Sequence, residues 1–330
     1  MNTFEAESLS QNGTASTIAA EAVKELQAGR SDLYGVWAPC LTPLDDSCSI
    51  DFSKLCDHIS WLLSSGCHGV GLFGTTGEAS SFSANERMTA LERVIESGIA
   101  PEKLMIGNGF PSITDTVTVT RHALQLGCKK VLMLPPFYYK DPSLEGVSRS
   151  YRNTLDQLKS SDIRVVLYHF PKMSAVPIRH ELIEALIESH GELIAGLKDS
   201  SGEWDSVERY IRNFPALNIF PGTDVLLLRS LKIGGAGTIT ATADINPDGI
   251  RRIFDLWTDG CNAAEAQIAA DRIREIVSRY PLSAALKSVH AELRDDPGWR
   301  RVRPPLTELS SSEHTDLLNA LTDAGFRLAE

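Results

Sequence analysis

Lys198 is the only cation in the apolar run Leu193-Ile194-Ala195-Gly196-Leu197-Lys198-Asp199-Ser200. A lysine at the inner end of a strand gives up its hydration, which is costly unless the amine is used. The use that fits is covalent: an uncharged amine attacks a carbonyl carbon and forms a Schiff base. A lysine in this place can also run its aliphatic stem out to water, so the segment alone leaves both uses open. Strand alternation puts Gly196, Lys198 and Ser200 on one face and Leu197 and Asp199 on the other. Asp199 is therefore not placed to bond the amine and hold its proton. The small Gly196 is expected to leave room for an adduct.

Other segments carry groups that suit such a lysine. Gly74-Thr75-Thr76-Gly77-Glu78 sets two hydroxyls between two glycines. Ahead of a helix, such a turn makes a nest of backbone N–H groups for a carboxylate; a plain capped turn has the same composition. In Tyr168-His169-Phe170-Pro171, alternation sends Tyr168 with Val166 to one face and His169 to the other. A phenol beside the amine relays protons, and a core tyrosine bonded to a carbonyl is the alternative. Tyr138 and Tyr139, in Pro135-Pro136-Phe137-Tyr138-Tyr139-Lys140, either pack on a rim or project into a neighbouring site. Gly69-x-Gly71-x-x-Gly74 has the spacing of a dinucleotide fingerprint, but its glycines fall inside an apolar run instead of after one. No His, Cys, Asp or Glu group has metal-ligand spacing, so neither metal nor cofactor is expected.

These residues need a frame. From residue 34 onward eight apolar runs (36–41, 69–73, 104–107, 131–134, 165–170, 194–198, 218–220 and 237–240) alternate with amphipathic stretches. Phe52-Leu55-Ile59-Leu62 has helical spacing. Ser83 stands three residues before Glu86, a capping-box spacing. Short, wholly apolar strands joined through helices imply a parallel sheet covered on both faces. Eight such units predict an α/β fold, a (β/α)8 TIM barrel over 34–259, whose active site lies at the C-terminal ends of the strands. The stretches 246–259, 262–280, 283–294 and 311–326 are expected to be helical, giving a C-terminal helical domain over 260–330. Residues 1–33 are expected to form an arm, partly helical or mobile.

The chain has 330 residues, 42% of them hydrophobic, and a formal net charge of −11. That charge argues against nucleic acid or an anionic membrane as partner. No run is long and apolar enough to span a bilayer, no basic and apolar leader opens the chain, and the six cysteines are scattered; a cytoplasmic protein is expected.

Taken together, the motifs resemble the dihydrodipicolinate synthase / N-acetylneuraminate lyase family of Schiff-base (class I) aldolases, over about residues 34–330. The resemblance rests on Gly71-x-x-Gly74-Thr75-Thr76-Gly77-Glu78 and on the run from Tyr168-His169-Phe170-Pro171 through Gly196-Leu197-Lys198-Asp199-Ser200. Gly222-Thr223-Asp224 and Arg303-Pro304-Pro305-Leu306 also look like family segments. The resemblance implies a lyase in which Lys198 forms the imine with pyruvate or another 2-oxo acid and an aldehyde is the second partner. It implies Tyr168 as proton relay, helped by Thr76 and by Tyr138 or Tyr139 of an adjacent subunit in a homotetramer built as a dimer of dimers. Gly74, Thr75, Thr76, Met173, Gly222 and Ile239 are expected to line the substrate. Synthases in this family resemble one another in an arginine two residues after the proline of the Tyr-x-x-Pro motif, where this chain has Met173. Methionine cannot pair with a carboxylate, which points away from aspartate semialdehyde and toward other hydroxy-oxo acids. A genuine 4-hydroxy-tetrahydrodipicolinate synthase is the nearest alternative. A non-catalytic 2-oxo-acid sensor is the alternative of another class.

Overall fold

In the computed structural model, which describes residues 32–158 and 162–328, the eight apolar runs become eight parallel strands. They are β1 (Gly35–Ala38), β2 (Gly69–Leu72), β3 (Leu104–Gly107), β4 (Lys130–Met133), β5 (Arg164–His169), β6 (Ile194–Asp199), β7 (Asn218–Pro221) and β8 (Gly237–Ile239). Each strand pairs with the next in sequence up to β7, and β8 pairs back onto β1. The remaining seam is bridged by Ala236 N–H donating to Ile219 O (3.0 Å) and by Thr238 Oγ1 donating to Pro221 O (2.9 Å). The sheet is thus a TIM barrel. The first strand is shorter than the apolar run that marks it, because Pro39 has no N–H for the ladder.

Helices follow the strands. They are α1 (Phe52–Ser64), α2 (Ala84–Glu96), α3 (Ile113–Gln125), α4 (Leu144–Leu158), the single turn α5 (Pro171–Ser174), α6 (His180–His190), α7 (Trp204–Asn213), α8 (Leu227–Leu231) and α9 (Pro247–Thr258). Ser83 and Glu86 close the capping box that their spacing predicts. Three more helices, α10 (Ala264–Val277), α11 (Leu282–Leu293) and α12 (Ser311–Asp323), complete the C-terminal part. Their apolar faces gather with Leu41, Ala241 and Ile245 into one buried cluster. Leu41 and Ala241 stand within three residues of the ends of β1 and β8, so these helices cover part of the rim where the strands end. The expected arm lies outside the described residues, apart from Asp32 and Leu33. Leu33 packs with the barrel lining, and Asp32 pairs with the buried Lys130 at 2.7 Å.

Inside the barrel, Trp37, Met105, Leu132, Val166, Phe220 and Ile239 fill the axis. A Cβ on Gly69 would collide with the Trp37 ring, so that glycine serves interior packing and not a dinucleotide. Gly196 corrects an expectation: a Cβ there would meet the backbone carbonyl and Cβ of Asn218. Its missing side chain is what lets β6 approach β7, and it opens no space for an adduct.

Candidate active site

The register of two strands builds the centre of the site. In the β5–β6 ladder Tyr168 pairs with Lys198, and in the β6–β7 ladder Lys198 pairs with Phe220. Residues opposite one another in neighbouring strands point to the same face, so all three enter the barrel at its C-terminal end. Lys198 is 4% exposed, and its Nζ lies 4.6 Å from the centroid of the Tyr168 ring. Among the described residues no carboxylate forms an ion pair with it. Asp199 faces away as alternation predicts, and its Oδ1 accepts from Ser201 N–H at 2.8 Å. His169 also faces outward. Its Nδ1 accepts from Ile178 N–H at 3.0 Å, and burial lowers its pKa while Asp199 and Glu203 oppose that shift.

The Tyr168 hydroxyl lies 3.3 Å from Thr75 Oγ1. The phenol thereby joins the lysine to the Gly74–Glu78 turn. That turn is bracketed by two non-glycine residues in the left-handed region, Phe73 (φ +55°) and Glu78 (φ +59°). Such conformations cost of order 1–3 kcal/mol each and persist where the surroundings impose them. Glu78 N–H closes onto Thr75 O and Ala79 N–H onto Gly74 O. Among the described residues, the backbone N–H groups of Thr75 and Thr76 donate to no protein acceptor. An anion held there completes their hydrogen bonding.

Of the other residues singled out above, Ile239 is fully buried, in the same apolar cluster as Val166 and Tyr168. Gly222 donates to Asp199 O at 2.6 Å, and a side chain on it would strike Ser200. Met173 stands on α5, 59% exposed. The segment around it is a single helical turn. Tyr138 and Tyr139 are 71% and 76% exposed, their rings 5.5 Å apart. Within the described chain neither hydroxyl is brought to Tyr168.

Spacing along the chain does not reveal one cluster that the fold assembles. Cys40, His58 and Asp244 offer ligating atoms within 4.8 Å of one another, all buried. Asp244 Oδ1 is taken by Leu41 N–H (3.0 Å) and His58 Nε2 (3.1 Å), and its backbone carbonyl by His290 Nε2 (2.7 Å). Burial raises the Asp244 carboxyl well above the usual range and lowers His58 to about 3. Three donors fall short of the four that close a structural zinc site. The cluster acts as a polar tie between the ends of β1 and β8 and the helices α1 and α11.

Comparison with known proteins places this geometry in context. The model of the dihydrodipicolinate synthetase family matches residues 32–324. An uncharacterised DapA-like lyase of Chloroflexus aurantiacus is 37% identical over 280 residues, covering 84% of this chain and 93% of its own. A 4-hydroxy-tetrahydrodipicolinate synthase of Methanothrix thermoacetophila is 29% identical over 296 residues, covering 87% of this chain and 96% of its own. The crystal structure of dihydrodipicolinate synthase from Agrobacterium tumefaciens superposes with a TM-score of 0.82 at 29% identity, covering 89% of this chain and all of that one.

Proposed function

The chain belongs to the dihydrodipicolinate synthetase family and is a lyase of the aldolase type, and we propose that it makes or breaks a C3–C4 bond in a 4-hydroxy-2-oxo acid through an imine on Lys198. The observation that carries this reading is the buried amine facing the Tyr168 ring, with the Tyr168 hydroxyl in turn bonded toward Thr75.

The amine of Lys198 adds to C2 of pyruvate or a related 2-oxo acid, and the carbinolamine loses water to give the iminium. In the cleavage direction the C4 hydroxyl gives up its proton, the C3–C4 pair moves into the iminium, and the aldehyde leaves. The enamine then takes a proton at C3, and water releases pyruvate and the free amine. Condensation is the reverse. Tyr168 carries the protons at the carbinolamine and at the C4 oxygen. Thr75 and Thr76 hold the carboxylate through their free N–H groups. Gly74, Met173, Gly222 and Ile239 line the substrate. The lysine is itself the electron sink, so the chemistry asks for no cofactor.

Tyr138 and Tyr139 supply the remaining part of the reading. Their exposure in one chain supports a role across a subunit boundary, where one of them completes the relay of a neighbour in a homotetramer. In this reading the barrel, 34–259, is the catalytic domain and 260–330 a helical domain that supports it. All six cysteines are free thiols, which supports a reducing, cytoplasmic setting. Among the described residues no helix is long and apolar enough to cross a membrane.

The test is a panel of 4-hydroxy-2-oxo acids assayed for pyruvate release, beside condensation of pyruvate with aspartate semialdehyde. The exposed Met173 in place of an arginine predicts faster turnover with a member of the panel. The relatives that are named synthases favour the second reading. A condensation rate with aspartate semialdehyde equal to or above every cleavage rate would establish it.

A further inference from the structure

Lys287 lies on α11, in a buried stretch whose Ala284, Ala285, Leu286 and Val289 are apolar. Its Nζ pairs with Glu78, and neither side chain is exposed to solvent. The same Nζ donates to Arg301 O at 2.7 Å. Glu78 Oε2 accepts from Arg303 N–H at 2.7 Å. A third tie runs from Ser283 Oγ, one turn before Lys287, to Thr76 O at 3.1 Å. Arg303 itself donates to Ser81 O (2.9 Å) and Glu86 Oε1 (2.7 Å), just beyond the same turn. The bonds to Thr76, Glu78, Ser81 and Glu86 all come from the C-terminal part, and they end on Thr76 and the residues just after it.

Breaking a buried ion pair by removing one partner costs about 3–5 kcal/mol, yet an apolar pair of similar volume often stabilises as well. A charged pair at this place therefore calls for a reason other than stability. Glu78 supplies one. It sits in the left-handed region and ends the turn in which the Thr75 and Thr76 N–H groups are unpartnered. Holding its carboxylate fixes its backbone, and through it the direction of the Thr75 and Thr76 N–H groups.

We propose that Lys287 and Ser283, outside the barrel, are positioning residues that aim the Thr75–Thr76 turn at the carboxylate of the 2-oxo acid. The inference rests on the reading of the site given above. It separates two parts of that site: imine formation at Lys198 is left intact, and selection of a carboxylate-bearing ketone depends on the helical clamp.

The experiment compares wild-type enzyme with the Glu78→Gln/Lys287→Met double variant, which replaces the pair by neutral side chains of similar size, and with Ser283→Ala. Each is trapped with borohydride over a range of pyruvate, and separately of acetone, which has the ketone but no carboxylate; the modified Lys198 peptide is quantified. The half-saturating pyruvate concentration should rise about tenfold or more in the double variant and about threefold in Ser283→Ala, as expected for losing charged and neutral hydrogen bonds. Acetone trapping should stay within about twofold of wild type, the small change expected where no bond to the probe is lost. Unchanged pyruvate saturation in both variants would overturn the proposal, and so would an equal loss for pyruvate and acetone. Should the double variant not fold, Ser283→Ala decides by the same criteria. Wild-type enzyme that takes up no pyruvate at Lys198 would instead contradict the functional reading, and the clamp with it.

Discussion

Among single residues, Tyr168 and Lys198 matter most, and the β5–β6 register sets them next to each other. Tyr168→Phe keeps the ring over Lys198 and removes only the hydroxyl that bonds toward Thr75. It should lower kcat for cleavage about 10²–10⁴-fold, the usual worth of a positioned acid–base group. The imine should still be trapped, which steady-state kinetics and intact-mass measurement together can check. A kcat near wild type would move the relay to another group. Lys198 is legible in the sequence because a cation inside an apolar run contradicts its surroundings. Lys287 sends a weaker form of the same signal, a lysine after Ala284-Ala285-Leu286, but its partner Glu78 stands 209 positions away. A helix interior gives no hint of what lies across from it, whereas a barrel strand end points to the active site.

At the scale of elements, the strands follow from apolar runs bounded by helix caps, and their ends follow from Pro39, Phe170-Pro171 and the glycine turns. Close approaches between strands are not legible in that way, and Gly196 is the example. Gly196→Ala should destabilise the fold by about 1–3 kcal/mol, because its methyl group must displace the Asn218 backbone. Urea unfolding measures this; an unchanged midpoint would mean that β6 and β7 have slack. The β1–β2 edge carries a pH dependence. His68 Nδ1 accepts from Val36 N–H at 3.0 Å, and burial, aided by Arg251, lowers its pKa to about 4. The unfolded chain binds that proton near the ordinary value of about 6.5. The stability tied to His68 is therefore complete above that pH and drains as pH falls toward the folded value, by at most about 1.4 kcal/mol per unit. His68→Asn keeps an acceptor for Val36 and removes the titration. Its stability should fall less steeply than that of wild type between those two values, and parallel curves would contradict the assignment.

At the scale of the whole molecule, the barrel is visible in the sequence as eight repeats of run and helix. The tie between α11 and the Gly74–Glu78 turn is not, since it joins segments with no shared pattern. In the proposed function the exposed Tyr138 and Tyr139 make the assembly part of the site. Lys198→Met subunits and subunits with the functional tyrosine changed to Phe should each be inactive or nearly so. Co-expressed, they should regain activity in mixed oligomers, because a Lys198→Met subunit lends its tyrosine to a partner that keeps the lysine. Mixed oligomers with no gain would place both groups in one chain.

Peptide mapping of the protein after incubation with pyruvate and borohydride decides whether Lys198 forms the imine. One reduced pyruvyl group per chain is expected, carried by the peptide that contains Lys198 and absent from the Lys198→Met variant. An unmodified Lys198, with pyruvate bound but never joined to nitrogen, would contradict it and favour a protein that senses 2-oxo acids without turning them over.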